Sequence, residues 1–227
     1  MFSILLKLSS AFLWALGLVA SIQQLNTILA TVCVFFLAII AVVAWWAASF
    51  GILCFYTKTE WKLNSTGNKV FYKKMSLFIT LAGNITQLPL TLLSDGSIEE
   101  VHAKLDSFEC KLLPSQPKDR WLQIWETPLR PLSIHTREIS ATHIDAFTKE
   151  TEWVMLKIDY HAGVNILSVI FPKDKPPKGS KGEFRIGGHK SEHPVDDRAC
   201  EDGYRMLLLR TKFFSPIGSE FLIHWKW

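Results

Sequence analysis

Charge is nearly missing from the first quarter of this sequence. Between Met1 and Thr57 the only Lys, Arg, Asp or Glu is Lys7, although the 227 residues hold 25 Lys and Arg and 21 Asp and Glu. The remainder carries a formal charge of +3 (24 − 21), within a total of +4. So small an excess lacks the concentrated basic face of a duplex nucleic-acid binder and sets that class aside. Cysteine is sparse too, with four residues, no CxxC pair and no metal-ligand spacing to the seven histidines. No Walker loop, GxSxG or HExxH run occurs. His189 and His193 stand four apart, but Pro194 and Gly187-Gly188 spoil any helix that would aim them together. Asp196-Asp197 and Glu201-Asp202 read as a solvated acidic turn, and Cys200, beside these carboxylates, reads as a poor nucleophile candidate. The sequence shows no catalytic constellation and no cofactor motif.

What replaces charge at the N-terminal end is apolar length. The run "TILATVCVFFLAIIAVVAWWAASFGILCFY", Thr27 to Tyr56, holds no charge over thirty residues, and about 20 apolar residues cross a bilayer. Upstream, "FSILLKLSSAFLWALGLVASIQQ" is apolar apart from Lys7, close enough to the end to reach headgroups. Its Val19-Ala20-Ser21 loosely resembles a cleavage site, but the weakly basic start and full length favour a retained helix over a signal peptide. The expectation is a two-helix transmembrane hairpin in residues 1–57, with spans at about 4–22 and 28–50, ahead of a domain in residues 58–227. Lys58, Lys62, Lys69, Lys73 and Lys74 follow the second span against Glu60 alone, while the connector Gln23-Gln24-Leu25-Asn26 is uncharged. Positive flanks stay inside, which predicts a multi-pass inner-membrane protein with its N-terminus and C-terminal domain in the cytoplasm. On that side Cys110 and Cys200 stay unpaired, and the sequons at Asn64 and Asn84 are chance matches. Cys33 and Cys54 act as small hydrophobes. Neither span holds an internal carboxylate, His or Arg, which argues against a transporter core.

From Lys69 onward the pattern turns to alternation, rich in β-branched and aromatic residues and broken by Gly, Pro, Asn and Asp. Predicted strands are Val70–Ala82, Leu88–Leu93, Phe108–Leu113, Trp121–Glu126, Leu132–Ile139, Trp153–Tyr160, Val164–Phe171, Glu183–Gly187, Tyr204–Phe214 and Glu220–Lys226. "WVMLKIDYHAGVNILSVIF" reads as a hairpin turning at His161-Ala162-Gly163, and "YRMLLLRTKFFSPIGSEFLIHWKW" as one turning at Ser215 to Ser219. Ser97-Ile98-Glu99-Glu100 has the form of a capping box ahead of Val101, Leu105 and Phe108, which predicts one short helix. A second helix, Thr142 to Glu150, is balanced against a loop. Short strands in series with little helix give a mainly β domain, an antiparallel barrel or sandwich.

Trp61, Trp121, Trp125, Trp153, Trp225 and Trp227 suit the core of such a domain. Trp125 and Tyr160 are candidates to stack on a base, and Arg185, His189, Lys190, Arg205 and Arg210 to meet phosphates. The stretch "FPKDKPPKGSKGEFRIGGHK", Phe171 to Lys190, divides in two. Pro176-Pro177 and spaced lysines make the first half a mobile strand connector whose lysines can touch anionic headgroups. In the second half Phe184 and Ile186 alternate with Arg185, and Gly187-Gly188 lets backbone N–H groups approach a ligand.

Two closely spaced spans and a cytoplasmic strand-rich domain resemble the two-transmembrane, β-strand-rich effectors of bacterial cyclic-oligonucleotide antiphage signalling. They also resemble the membrane-anchored CRISPR ancillary effectors that sense cyclic oligoadenylate. The resemblance covers the whole chain as architecture and carries no diagnostic motif, so no residue role is transferred. It implies a receptor-effector in which a cyclic oligonucleotide binds the β-rich domain and homo-oligomerised helices then perturb membrane lipid. The alternative is an inner-membrane scaffold that docks a cytosolic protein through a sheet edge or aromatic patch, with no small-molecule ligand.

Overall fold

The computed structural model describes residues 14, 32–42, 51–81, 83, 85–92, 95–115, 120–158, 162–200, 202–211 and 215–227. The chain divides into two compact units, Met1–Ser49 and Phe50–Trp227. In the first, residues 32–42 are helical. At about 1.5 Å per residue they rise roughly 16 Å, half of a hydrocarbon core of about 30 Å. Among the described residues no helix is long and apolar enough to cross a membrane. This corrects the predicted transmembrane hairpin and the multi-pass inner-membrane placement that rested on it. The rest of both expected spans lies outside the described residues. A continuous apolar run reads as a single element, yet apolarity alone does not separate helix from strand. Gly51 takes φ +65°, a left-handed turn open to glycine, and Ile52 to Tyr56 begin a strand.

The second unit has fifteen strands among the described residues. They are β1 (Ile52–Leu63), β2 (Lys69–Thr80), β3 (Ile85–Thr91), β4 (Ser97–Leu105), β5 (Phe108–Glu109), β6 (Lys111–Ser115), β7 (Arg120–Leu129) and β8 (Ile134–Ile144), then β9 (Thr151–Lys157), β10 (Ala162–Phe171), β11 (Gly179–Ile186), β12 (His189–His193), β13 (Asp196–Ala199), β14 (Arg205–Arg210) and β15 (Glu220–Lys226). Eight strands form one sheet in the order β13-β14-β10-β1-β2-β8-β4-β5. Its pairings are antiparallel except at the centre, where β1 and β10 run parallel. A four-stranded sheet, β12-β11-β15-β9, and a three-stranded sheet, β3-β7-β6, complete the unit. Pro89 and Pro114 fall on β3 and β6, the edge strands of the smallest sheet, where a missing N–H costs no ladder bond.

Alternation decides the faces. On the large sheet Trp61, Val70, Ile139, Leu167 and Leu209 turn inward and meet Val154, Leu156, Phe221, Ile223 and Trp225 of the four-stranded sheet. A second, smaller cluster joins Ile52, Cys54, Phe78 and Leu105 of the large sheet to Leu88 and Leu129 of the three-stranded one.

Three local expectations change. Neither predicted hairpin pairs its own strands: β9 joins β15 while β10 joins β1 and β14, and β14 joins β10 and β13 while β15 joins β9 and β11. Turn residues reverse the chain but do not say which layer receives it, and here each connection crosses from one sheet to another. The predicted capping-box helix is β4. Val101 and Leu105, four apart, satisfy a period of two as well as 3.6, and pairing with β8 decides. A register shift between Glu99 and His102, with Glu100 at φ +50°, bends the strand there. The Lys/Pro connector after β10 is fastened to the protein. Pro177 is buried, Lys175 Nζ lies 3.9 Å from the centre of the Trp227 ring, and Lys178 N–H donates to the Lys226 carbonyl at 2.9 Å.

Candidate functional site

The basic residues singled out in the sequence are spread over separate hairpins. Arg185 on β11 donates through Nε to the Glu183 carboxylate, and Lys190 Nζ stands 3.8 Å from the same group. His224 Nε2 lies 3.4 Å from it. The Arg185 hydrogen bond holds the Glu183 pKa below the ordinary value, against the opposing effect of burial. Glu183 thus supplies the counter-charge for two of the predicted phosphate contacts, Arg185 and Lys190. Gly187 and Gly188, at φ +53° and +84°, form the two-residue turn between β11 and β12, which explains the pair without a ligand. His189 is exposed beside that turn. Arg205 grips Asp197 with both nitrogens, at 2.6 and 2.8 Å, and Arg210 is exposed at the end of β14. Trp125 on β7 donates to the Ile85 carbonyl at 2.9 Å and packs on the smaller core cluster. Tyr160 lies outside the described residues.

A different constellation lies inside. One rung of the large sheet is polar across four strands. Asn165 of β10 is opposite Thr57 of β1, Thr57 opposite Ser76 of β2, and Ser76 opposite Arg137 of β8. Thr211 extends the row beyond β14: its Oγ1 accepts from the Asn165 backbone N–H at 3.1 Å and from Asn165 Nδ2 at 3.3 Å. Thr57 Oγ1 is 3.3 Å from Ser76 Oγ and 3.2 Å from the Cys54 thiol. Arg137 is 7% exposed, donating through Nε to Gln123 Oε1 at 2.6 Å and through Nη2 to the Pro89 carbonyl at 2.9 Å. Burial pushes the Cys54 pKa up, outweighing the Thr57 hydrogen bond and nearby Lys74, so the thiol stays protonated and unreactive.

Asn165, Thr57, Ser76 and Arg137 of this row line a cavity of about 40 Å³ where all three sheets meet. At roughly 10–15 Å³ per water, it has room for about three waters or one small oxyanion. Its walls include Cys54, Thr57, Lys74, Ser76, Arg137 and Asn165 from the large sheet. Lys157 and Leu156 come from the four-stranded sheet and Leu88 from the three-stranded one. Nearby, Gln123 Nε2 and Thr59 Oγ1 are buried without a hydrogen-bond partner among the described residues. Such groups cost free energy when dry. The arrangement can neutralise and hydrogen-bond a negatively charged group. In the sequence it had one faint signal, the polar inward positions Thr57 and Thr59 between apolar Cys54 and Trp61. Its members lie up to 154 residues apart (211 − 57), so spacing could not reveal them.

No family model matches the chain. No curated protein matches it in sequence. In structure it is a strand-rich protein similar to a Legionella pneumophila subsp. pneumophila str. Philadelphia 1 protein solved at 2.33 Å, whose provisional designation is nutrient binding protein. The TM-score is 0.50 at 10% identity, over 77% of this chain and 67% of that one. At that identity the likeness is one of fold alone.

Proposed function

We propose that the strand-rich unit is a solute-binding domain that takes the phosphate or carboxylate group of a small molecule into the cavity where its three sheets meet. One observation carries this reading: the transverse row Asn165–Thr57–Ser76–Arg137 faces a void that Lys74 and Lys157 also line. Cations and hydroxyl donors at low dielectric bind an oxyanion more strongly than the same groups in water. The fold shared with a protein designated nutrient binding supports a solute-binding role. A cyclic oligonucleotide needs several hundred Å³, so in a cavity of about 40 Å³ only one phosphate group of such a ligand would be accommodated.

Thermal denaturation of the full chain tests the proposal with inorganic phosphate, acetate and a cyclic dinucleotide as probes. Ligand at a hundred times Kd stabilises by about 2.7 kcal/mol, a rise of roughly 5–10 °C for a domain of this size. Lys157→Ala should cut that rise sharply. No rise with any of the three anions at millimolar concentration would falsify the proposal, and a rise with the cyclic dinucleotide alone would transfer it to a larger, opened site.

A further inference from the structure

Three side chains at one end of the strand-rich unit form a relay that the anion cavity does not use. Ser133 Oγ lies 2.7 Å from His135 Nε2, and His135 Nδ1 lies 2.6 Å from Asp106 Oδ2. The Asp106 carboxylate is itself oriented, its Oδ1 accepting the Thr136 backbone N–H at 2.8 Å. Burial acts to raise the Asp106 pKa, but the hydrogen bonds from His135 and Thr136 win and hold it below the usual value. The ionised carboxylate therefore favours the imidazole tautomer with a proton on Nδ1, leaving Nε2 free to accept from Ser133. The ring is fixed against Phe78, 5.6 Å between centroids, on the wall of the cavity region. The connectivity, acid to base to hydroxyl, is that of a serine nucleophile with its general base.

A second observation falls at the same place. Five non-glycine residues among those described adopt positive φ, and three of them, Asp106, Ser107 and Leu132, sit in the two turns that hold this relay. At Asp106 and Ser107 this is the two-residue hairpin turn between β4 and β5, the same kind as at Gly187-Gly188, and it sets Asp106 at the tip of the hairpin. Leu132 immediately precedes Ser133, and the turn is tied down by Thr80, whose Oγ1 lies 3.1 Å from Ser133 Oγ. The flanks are apolar and open: Phe108 is 78% exposed, Leu132 73% and Ile134 64%.

We propose that Ser133, His135 and Asp106 form a hydrolytic centre for esters of short apolar acyl groups. Ser133 Oγ attacks the ester carbonyl carbon as its proton passes to His135 Nε2. The bond to the alcohol oxygen breaks, and the alcohol leaves with that proton. Water, deprotonated by the same Nε2, then adds to the acyl group on Ser133. The free acid departs and the serine regains its proton. Asp106 stabilises the imidazolium throughout. The Ser133 hydroxyl has a competing acceptor in the Arg130 carbonyl, so the productive state is the rotamer with its hydrogen turned to His135.

The test uses the full chain, p-nitrophenyl acetate and a fluorophosphonate label located by peptide mapping. The label should fall on Ser133, and Ser133→Ala should abolish both labelling and turnover. Asp106→Asn should lower kcat by about a hundredfold or more, the size expected for a disabled acid–base relay. Turnover that survives Ser133→Ala, or label that avoids Ser133, overturns the proposal and leaves a hydrogen-bonded turn. If Ser133→Ala does not fold, the position of the label on the unsubstituted chain decides alone.

Discussion

Along β1 the inward residues run Cys54, Thr57, Thr59, Trp61 and Leu63, and the interior changes character with them. At the Trp61 end, aromatic rings interlock. Trp61 meets Tyr72, His143 and Phe147 at centroid distances of 4.7, 4.8 and 5.6 Å, and Trp225 meets Phe147 and Phe171 at 5.3 and 5.4 Å. At the Thr57 end, hydroxyls, an amide and a buried guanidinium replace the rings, and a void remains. Close packing yields stability but leaves no space for a ligand. The polar end accepts buried donors that cost stability unless satisfied. Separating the two along one strand lets a single sheet do both.

That contrast breaks first if the aromatic end is not the main source of stability. Trp225→Ala, at a site 1% exposed, should cost about 3–5 kcal/mol in urea unfolding. Trp225→Phe should cost less and leave any anion response of the cavity unchanged. Arg137→Met is the counterpart at the polar end. It strands Gln123 Oε1 and the Pro89 carbonyl, with an expected loss of roughly 1–3 kcal/mol. It should also remove stabilisation by phosphate. Equal loss of phosphate response in Trp225→Phe and Arg137→Met would mean that the two ends are not separable.

The finest distinction is in acid. Asp106, at the polar end, has its pKa lowered, so its contribution is present above the unfolded value of about 3.8 and is lost as pH falls through the folded one. Glu152, beside Trp225 in the register of β9 and β15, has its pKa raised, with burial as the largest cause. Its contribution is present below the unfolded value of about 4.5 and is lost as pH rises through the folded one. Asp106→Asn should thus reduce stability at pH 7, and Glu152→Gln should not. The difference between the variants should shrink by pH 3 in thermal melts. Parallel behaviour of the two across that range would contradict the assignment.

Strand positions were legible because period two survives in single strands: Val70, Tyr72 and Phe78 mark β2 without any partner in view. Partnership was not. β9 and β10 are neighbours in sequence and members of different sheets, a choice made by which layer buries Val154 and which buries Leu167. Ser97 to Leu105 suits a helix locally, and tertiary pairing overrides it. The cavity was hidden for a related reason. Lys74 reads as a flanking charge after an apolar run, until Leu156 and Lys157 of the four-stranded sheet and Leu88 of the three-stranded one meet it at the cavity. The basic residues read as phosphate contacts were visible, but the pairing of Arg185 and Lys190 with Glu183 and of Arg205 with Asp197 was not. Ser133 and His135 are two apart, but Asp106 reaches them only through pairing of β4 with β8.

The parallel seam between β1 and β10 also sets a timetable. Thr57 and Asn165 face each other across it although 108 positions apart in the chain (165 − 57), so β1 leaves the ribosome long before its second neighbour exists. At about 5–20 residues per second the wait is roughly 5–20 s. Through that interval β2 covers one side of β1 and the other side is an open edge, available to any passing strand. The polar row crosses this same seam, so the nascent chain has no such cavity. It forms only when the second half of the unit arrives to close it.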